Sequence, residues 1–306
     1  MPWKLGNRLR LVREQEASPD IRAIFEAIKQ SLGLAYVPVL YQAYASLPLF
    51  LAAHWQRFQP VIGSRSFFNL ADRLRADAYT RAHNYFDIPD FCQRVQAMQF
   101  SPGAKEELTD TIEQFYYADS ILLLISAAQQ QAFEGPIGAT TASARPVHPE
   151  FKTKPIFVDD ESASPEVVKV FEETKKSLGL PTVISDFRAL ARWPDFLRSY
   201  WQMLGPLLAN PLYQESQYGG LETAWALARE LPGPFEFTVS QMTDAGMHED
   251  NIASVVRLTQ AFTRGLSGSV LNISIAKIGL EGGNHPQELS KKKGEQAPKP
   301  EGHQAA

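Results

Sequence analysis

The chain carries its own beginning a second time. Ala17-Ser18-Pro19 opens a stretch that runs through Phe25-Glu26, Ser31-Leu32-Gly33-Leu34, Pro48, Phe50-Leu51 and Trp55-Gln56 to Pro60. The same landmarks return about 146 residues later as Ala163-Ser164-Pro165, Phe171-Glu172, Ser177-Leu178-Gly179-Leu180, Pro194, Phe196-Leu197, Trp201-Gln202 and Pro206. Roughly 19 of 46 aligned positions are identical without a gap. A period this long marks a duplicated domain rather than a solenoid of short units. Further on the match is weaker, with Phe115, Ser120, Leu124 and Glu134-Gly135 answering to Phe262, Ser267, Leu271 and Glu281-Gly282 at an offset of about 147. Residues shared by both copies serve the fold, and a reactive group present in one copy alone points to function. The sharpest difference is Ser185-Asp186, which faces Val39-Leu40.

Apolar spacing is helical almost throughout. Phe187, Leu190, Ala191, Pro194, Leu197, Trp201 and Leu204 follow the i, i+3, i+4, i+7 pattern, as do Ile21, Ile24, Phe25 and Ile28. Ser18-Pro19 and Ser164-Pro165 read as N-cap and first helical residue. Period-two alternation is confined to 153–158 and 235–239. The expected fold class is therefore all-α. Two similar helical domains, 1–135 and 163–282, form an intramolecular pseudo-dimer about a local two-fold axis. Residues 136–162, rich in Pro, Thr, Ser and Ala, read as a linker, and the polar, lysine-containing 283–306 as a disordered tail. Gly219-Gly220 and Gly282-Gly283 read as turns or helix ends.

Net charge is −4 and pI about 5.9, which offers no basic footprint for nucleic acid. Cys92 is the single cysteine, so neither an internal disulfide nor a CxxC pair is available. The N-terminus lacks an apolar signal region, and apolar runs such as Ile121–Ile125 are far shorter than the ~18 residues of a membrane span. A cytoplasmic protein with no membrane partner is expected, and a homodimer is left open. The histidines, at 54, 83, 148, 248, 285 and 303, form no metal-ligand spacing, and no GxSxG, Walker A or GxGxxG element occurs. No metal is expected, His54 reads as a packed helical histidine, and Cys92 as an inert thiol.

Asp186 is the main candidate for chemistry. A carboxylate among Phe187, Trp193 and Phe196 at a domain seam is placed to act as a general base once burial raises its pKa. The competing reading makes Ser185 an N-cap and Asp186 a first-turn acid complementing the helix dipole. The same helix start offers N–H groups to a substrate carboxylate. A second patch, Gln114-Phe115-Tyr116-Tyr117-Ala118-Asp119, reads equally as a polar pocket wall or as core with edge hydroxyls; Asp119 faces Leu266 in the other copy.

Ser177-Leu178-Gly179-Leu180-Pro181 followed by Ser185-Asp186-Phe187-Arg188-Ala189-Leu190-Ala191-Arg192-Trp193-Pro194-Asp195 resembles the signature of the group I 2-haloacid dehalogenases. The resemblance covers nearly the whole chain, in length, helicity and duplication. It implies a fold similar to the alkylhydroperoxidase D-like helical proteins, without their redox cysteine pair. It also implies hydrolytic dehalogenation of short 2-haloalkanoic acids. The residue matching Asp186 activates a water that attacks the α-carbon directly and inverts it, with no covalent ester and no cofactor. Ser185 then lies on the active-site wall. The family's water-holding asparagine falls near Tyr117 to Asp119, where this chain has none and Asp119 stands in. Tyr36 is the nearest first-half aromatic for the substrate pocket, with Leu40, Tyr117, Phe187 and Phe262 completing the substrate-binding set. The implied partners are a small halogenated carboxylate and water.

Overall fold

The computed structural model describes residues 10–98, 100–141 and 144–284. The chain belongs to the all-α class. Its α-helices are α1 (Pro19–Leu32), α2 (Val39–Tyr44), α3 (Pro48–Ile62), α4 (Arg65–Tyr85), α5 (Phe91–Ala97), α6 (Pro102–Ala132), α7 (Pro165–Leu178), α8 (Ser185–Leu190), α9 (Pro194–Leu208), α10 (Pro211–Arg229), α11 (Val239–Asp244) and α12 (Glu249–Leu280). Lengths repeat in order. Helices α1 to α6 have 14, 6, 15, 21, 7 and 31 residues, and α7 to α12 have 14, 6, 15, 19, 6 and 32.

The local signals that delimit the first helix of each half are the ones the repeat preserves. The Ser18 and Ser164 side chains accept hydrogen bonds from the Ile21 and Val167 N–H groups, a proline follows each, and the helices end at Gly33 (φ 66°) and Gly179 (φ 64°). Helix α6 packs along α12, and α4 and α10 each lie against both. The two long helices therefore form the centre, and α12 is buried continuously from Gly265 to Ala276. Val39 N–H donates to Ser185 Oγ at 3.3 Å, and the Thr223 hydroxyl donates to Asp77 Oδ2 at 3.3 Å; each pair is 146 residues apart. Contacts between a residue and its own counterpart are those expected where a local two-fold axis passes.

Three expectations are corrected. Neither 153–158 nor 235–239 is a strand: among the described residues only isolated bridges occur, one joining Ile137 to Phe235. The first stretch is pinned side-on instead, with Asp110 accepting from Thr153 N–H at 2.9 Å and the Arg188 carbonyl accepting from Val158 N–H at 3.0 Å. Gly219-Gly220 lies inside α10, because a Cβ at Gly219 would collide with the Arg81 guanidinium of α4 and one at Gly220 would meet Ser267 Oγ of α12 at 3.4 Å. The third concerns Ser185 and is taken up with the site. Of the expected tail, 283–306, residues 285–306 lie outside the described residues, whereas Asn284 pairs with Ile88. No helix among the described residues is long and apolar enough to cross a membrane.

The two matched helix ends make a paired test. Alanine at either position is forced into left-handed backbone, which costs about 1–2 kcal/mol. At Gly179 nothing lies within 4 Å of the new Cβ, whereas at Gly33 it would meet His148 Cγ at 2.5 Å. Urea unfolding should show Gly179→Ala losing about 1–2 kcal/mol and Gly33→Ala distinctly more.

Candidate active site

Helix α8 is short, and its first two residues are the candidates singled out by the sequence. Ile184 occupies the N-cap and makes no side-chain cap bond; Ser185 is already the first helical residue. This overturns the reading of Ser185 as N-cap. Its Oγ instead accepts from Val39 N–H of the first half, leaving its own proton for another acceptor. Asp186 follows, with its Oδ1 accepting from Phe187 N–H at 2.7 Å. That bond takes one of the N–H groups expected to hold a substrate carboxylate.

Asp186, in the first turn of α8, is 2% exposed and Asp119, from the middle of α6, is 4% exposed, so neither is a solvated acid. Ser269 of α12 joins them. Its Oγ lies 2.7 Å from Asp119 Oδ2 and 3.0 Å from Asp186 Oδ2. Three elements thus meet at one hydroxyl, two from the second half and one from the first. Burial pushes Asp186 up to about 7, against the opposing pull of the Phe187 N–H and the Ser269 hydroxyl. Burial, and then the charge of Asp186, hold Asp119 well above the usual carboxylate range.

Tyr36 faces this pair. Its hydroxyl is buried without a hydrogen-bond partner, and its pKa is driven well up by burial and by the charges of Asp119 and Asp186. Its ring sits 5.5 Å from Phe115 and 5.2 Å from Phe157, centre to centre. Tyr200 of α9 is also near, donating to the Asn272 carbonyl at 2.6 Å and feeling both carboxylates. A cleft of about 300 Å³ reaches Tyr36 and Ser185 from outside, between Leu11, Gln42, Lys154, Phe157 and Arg188. That volume is at the small end for ligand pockets.

The structure brings together Asp186, Ser185, Asp119 and Tyr36. Leu40 is buried beside Val39, in the helix that contacts Ser185. Phe187 contributes its backbone, while its ring packs on Tyr200 and Trp201. Phe262 is buried on α12 seven residues before Ser269, hence on the same face but about two turns away. Tyr117 is not part of the cluster. Two residues along a helix point in nearly opposite directions, and Tyr117 turns from Asp119 to donate to the Leu32 carbonyl, meet His148 Nδ1 at 3.0 Å and stack on Phe68. Sequence reading missed Ser269, Tyr200 and Phe157. The asymmetry criterion that singled out Asp186 also finds Ser269, whose counterpart at an offset of 147 is Leu122. No group of side chains suited to a metal occurs among the described residues.

A buried carboxyl with a raised pKa makes stability pH-dependent. Below about 4 it is protonated both folded and unfolded and adds no penalty. As pH climbs to about 7 the unfolded chain gains by ionising and the folded state loses stability. His54, buried and lowered to about 4, acts oppositely, losing stability as pH falls through 6.5. Comparing Asp186→Asn with wild type cancels the histidine. The variant should gain stability relative to wild type as pH rises from 4 to 7, by an amount on the order of a few kcal/mol, read as a widening gap in melting temperature.

Residues 35–187, half of the chain, match the family described as halocarboxylic acid dehydrogenase DehI; the match spans both halves and holds Tyr36, Asp119, Ser185 and Asp186. The chain is similar to an (R)-2-haloacid dehalogenase of Pseudomonas putida, 26% identical over 87% of this chain and 91% of that protein. It is also similar to an (R)-2-haloacid dehalogenase of Rhizobium sp. (strain NHG3), 26% identical over 74% of this chain and 89% of that protein. A configuration-inverting 2-haloacid dehalogenase of Alcaligenes xylosoxydans xylosoxydans is 24% identical over 87% of this chain and 93% of its own length. Among solved structures, a D-2-haloacid dehalogenase mutant in complex with D-2-CPA superposes with a TM-score of 0.84 at 24% identity, covering 89% of this chain and 96% of that one. A D-2-haloacid dehalogenase in complex with L-LA gives 0.85 at 24%, covering 92% and 99%. That structural likeness is one of fold. With half of its length matching the family, and with an all-helical architecture in common with these structures, this chain belongs to the DehI family.

Proposed function

We propose that the protein hydrolyses the carbon–halogen bond of short 2-haloalkanoic acids, accepting the (R) enantiomer, with Asp186 as general base. The observation that carries this is a buried carboxylate, shifted to about 7, behind a small cleft. Such a group is half ionised near neutrality and accepts a proton from water far more readily than an ordinary carboxylate. Its orientation is set from two sides, by the Phe187 N–H on Oδ1 and by Ser269 on Oδ2.

In this reading the substrate carboxylate lies in the cleft, where the Ser185 and Tyr36 hydroxyls are available donors and Arg13, Lys154 and Arg188 line the same walls. Phe157, Val37 and Val39 supply apolar surface for the halogen and the short alkyl chain. Asp186 takes a proton from a water held beside the α-carbon. The new C–O bond forms as the C–X bond breaks on the opposite face, the electron pair leaves with halide, and the carbon inverts. Most of the barrier reduction is positional, since one water and one carbon are held in line. The enantiomer is taken from the names of the two relatives at 26% identity.

Halide release from each enantiomer of 2-chloropropionate tests the function; no release from either would reject it. Asp186→Asn should lower kcat by about 10²–10⁴-fold or more, because an amide cannot take the proton. A single turnover in ¹⁸O-water should put the label in the hydroxy acid. Label in the Asp186 carboxylate would instead mean an ester intermediate with Asp186 as nucleophile.

A further inference from the structure

The Ser269 hydroxyl has one proton and two carboxylate neighbours. Its Oγ lies at hydrogen-bonding distance from Asp119 Oδ2 and from Asp186 Oδ2. It can donate to only one of them. With both acids ionised, the other contact would set a lone pair against a buried negative oxygen. With one acid protonated, both contacts are hydrogen bonds running in a single direction. The geometry therefore requires a second proton in the cluster.

The surroundings decide which acid holds it. Asp186 accepts from Phe187 N–H as well as facing Ser269, and hydrogen bonds to a carboxylate favour its charged form. Asp119 has Ser269 as its one hydrogen-bond partner among the described residues. The titratable groups facing the pair are Tyr36, from the loop before α2, and Tyr200 of α9, with Tyr213 of α10 behind it. All three phenols are shifted upward, mainly by burial, and stay neutral, so none offers Asp119 a compensating charge. We infer that Asp119 is a carboxylic acid in the working protein, donating to Ser269 Oγ while Ser269 donates to Asp186 Oδ2, and that this one-way chain makes Asp186 the single base of the pair. Asp119 and Ser269 are then positioning residues, acting through Asp186. This rests on the reading of Asp186 as the base, but the location of the proton can be measured without turnover.

Infrared spectra of the full chain locate it. At a pH above the Asp186 midpoint, wild type should show one protonated-carboxyl C=O band, which Asp119→Asn abolishes and Asp186→Asn keeps. The reverse pattern, or no band in wild type, overturns the inference. The pH profile of kcat/KM for halide release supplies the second arm. The amide of Asp119→Asn donates to Ser269 as the acid does, so the acid limb should not move, whatever happens to the rate. A limb that falls by about one pH unit or more would mean that Asp119 had been ionised and repelling Asp186, and would also overturn the inference. Ser269→Ala removes a hydrogen bond from ionised Asp186. Its limb should move to higher pH and its rate fall by roughly tenfold to a hundredfold, as for a base that has lost its orientation; an unmoved limb would show that the hydroxyl does not couple the two acids. If wild type releases no halide, the function has failed, and the infrared arm alone decides where the proton sits.

Discussion

The packing of α6 along α12 is the constraint to which the other helices answer. The two run through the centre with α4 and α10 laid against both, so they have little solvent-facing surface along their middles. A polar side chain there must find its partner inside the protein or bear a desolvation cost of about 1–3 kcal/mol. Some do so within one turn: Ser120, Ser126, Thr263 and Ser274 donate back to carbonyls three or four residues earlier. Asp119 and Ser269 do not. They satisfy one another across the helix pair, and the short helix α8 brings Asp186 to the same point.

Much of this was legible from the repeat. An ungapped match implies equivalent helices, and the serine-proline starts and glycine ends fall where the sequence places them because capping is a local interaction. The importance of Asp186 was legible too, since buried positions that differ between copies of one fold are not explained by packing alone. What could not be read was direction. Tyr117 and Asp119 are neighbours in the chain, and only the packing of α6 decides which of them faces α12. Phe157 lies in the stretch read as linker, ahead of the matched repeat, so the internal comparison was not carried to it. The linker's composition likewise conceals its anchoring: Asp110 takes Thr153 and Arg188 pairs with Asp159 and Asp160.

The reading of Ser185 as a cap failed for an instructive reason. Capping propensity describes a serine whose nearest unpaired donors belong to its own helix. Here another set of donors approaches, the N–H groups at the start of α2. Val39 N–H therefore reaches Ser185 Oγ across 146 residues of chain. The duplication that generated the sequence signal also supplied the competing partner.

The arrangement also explains why one such centre suffices. Its acids come from different halves, Asp119 from α6 and Asp186 from α8, so it already draws on both copies. A symmetric second centre would need an acid at Leu40, another at Leu266 and a hydroxyl at Leu122, all now apolar and buried. Each change would exchange packed hydrocarbon for a desolvated polar group, and the two acids would add a further pair of raised carboxyls. The first half keeps a polar ring at the position equivalent to Tyr200. That ring is His54, bound to Gln129 Oε1 at 2.7 Å, caged by Tyr41, Tyr44, Phe50 and Phe58, and held neutral by burial. Both halves therefore tolerate a buried polar ring, each held by one hydrogen bond. Only the second surrounds an ionisable acid with the donors that keep it charged, and an acid shifted to neutrality is destabilising wherever it is ionised. Confining that penalty to one seam lets the rest of the duplicated core remain apolar.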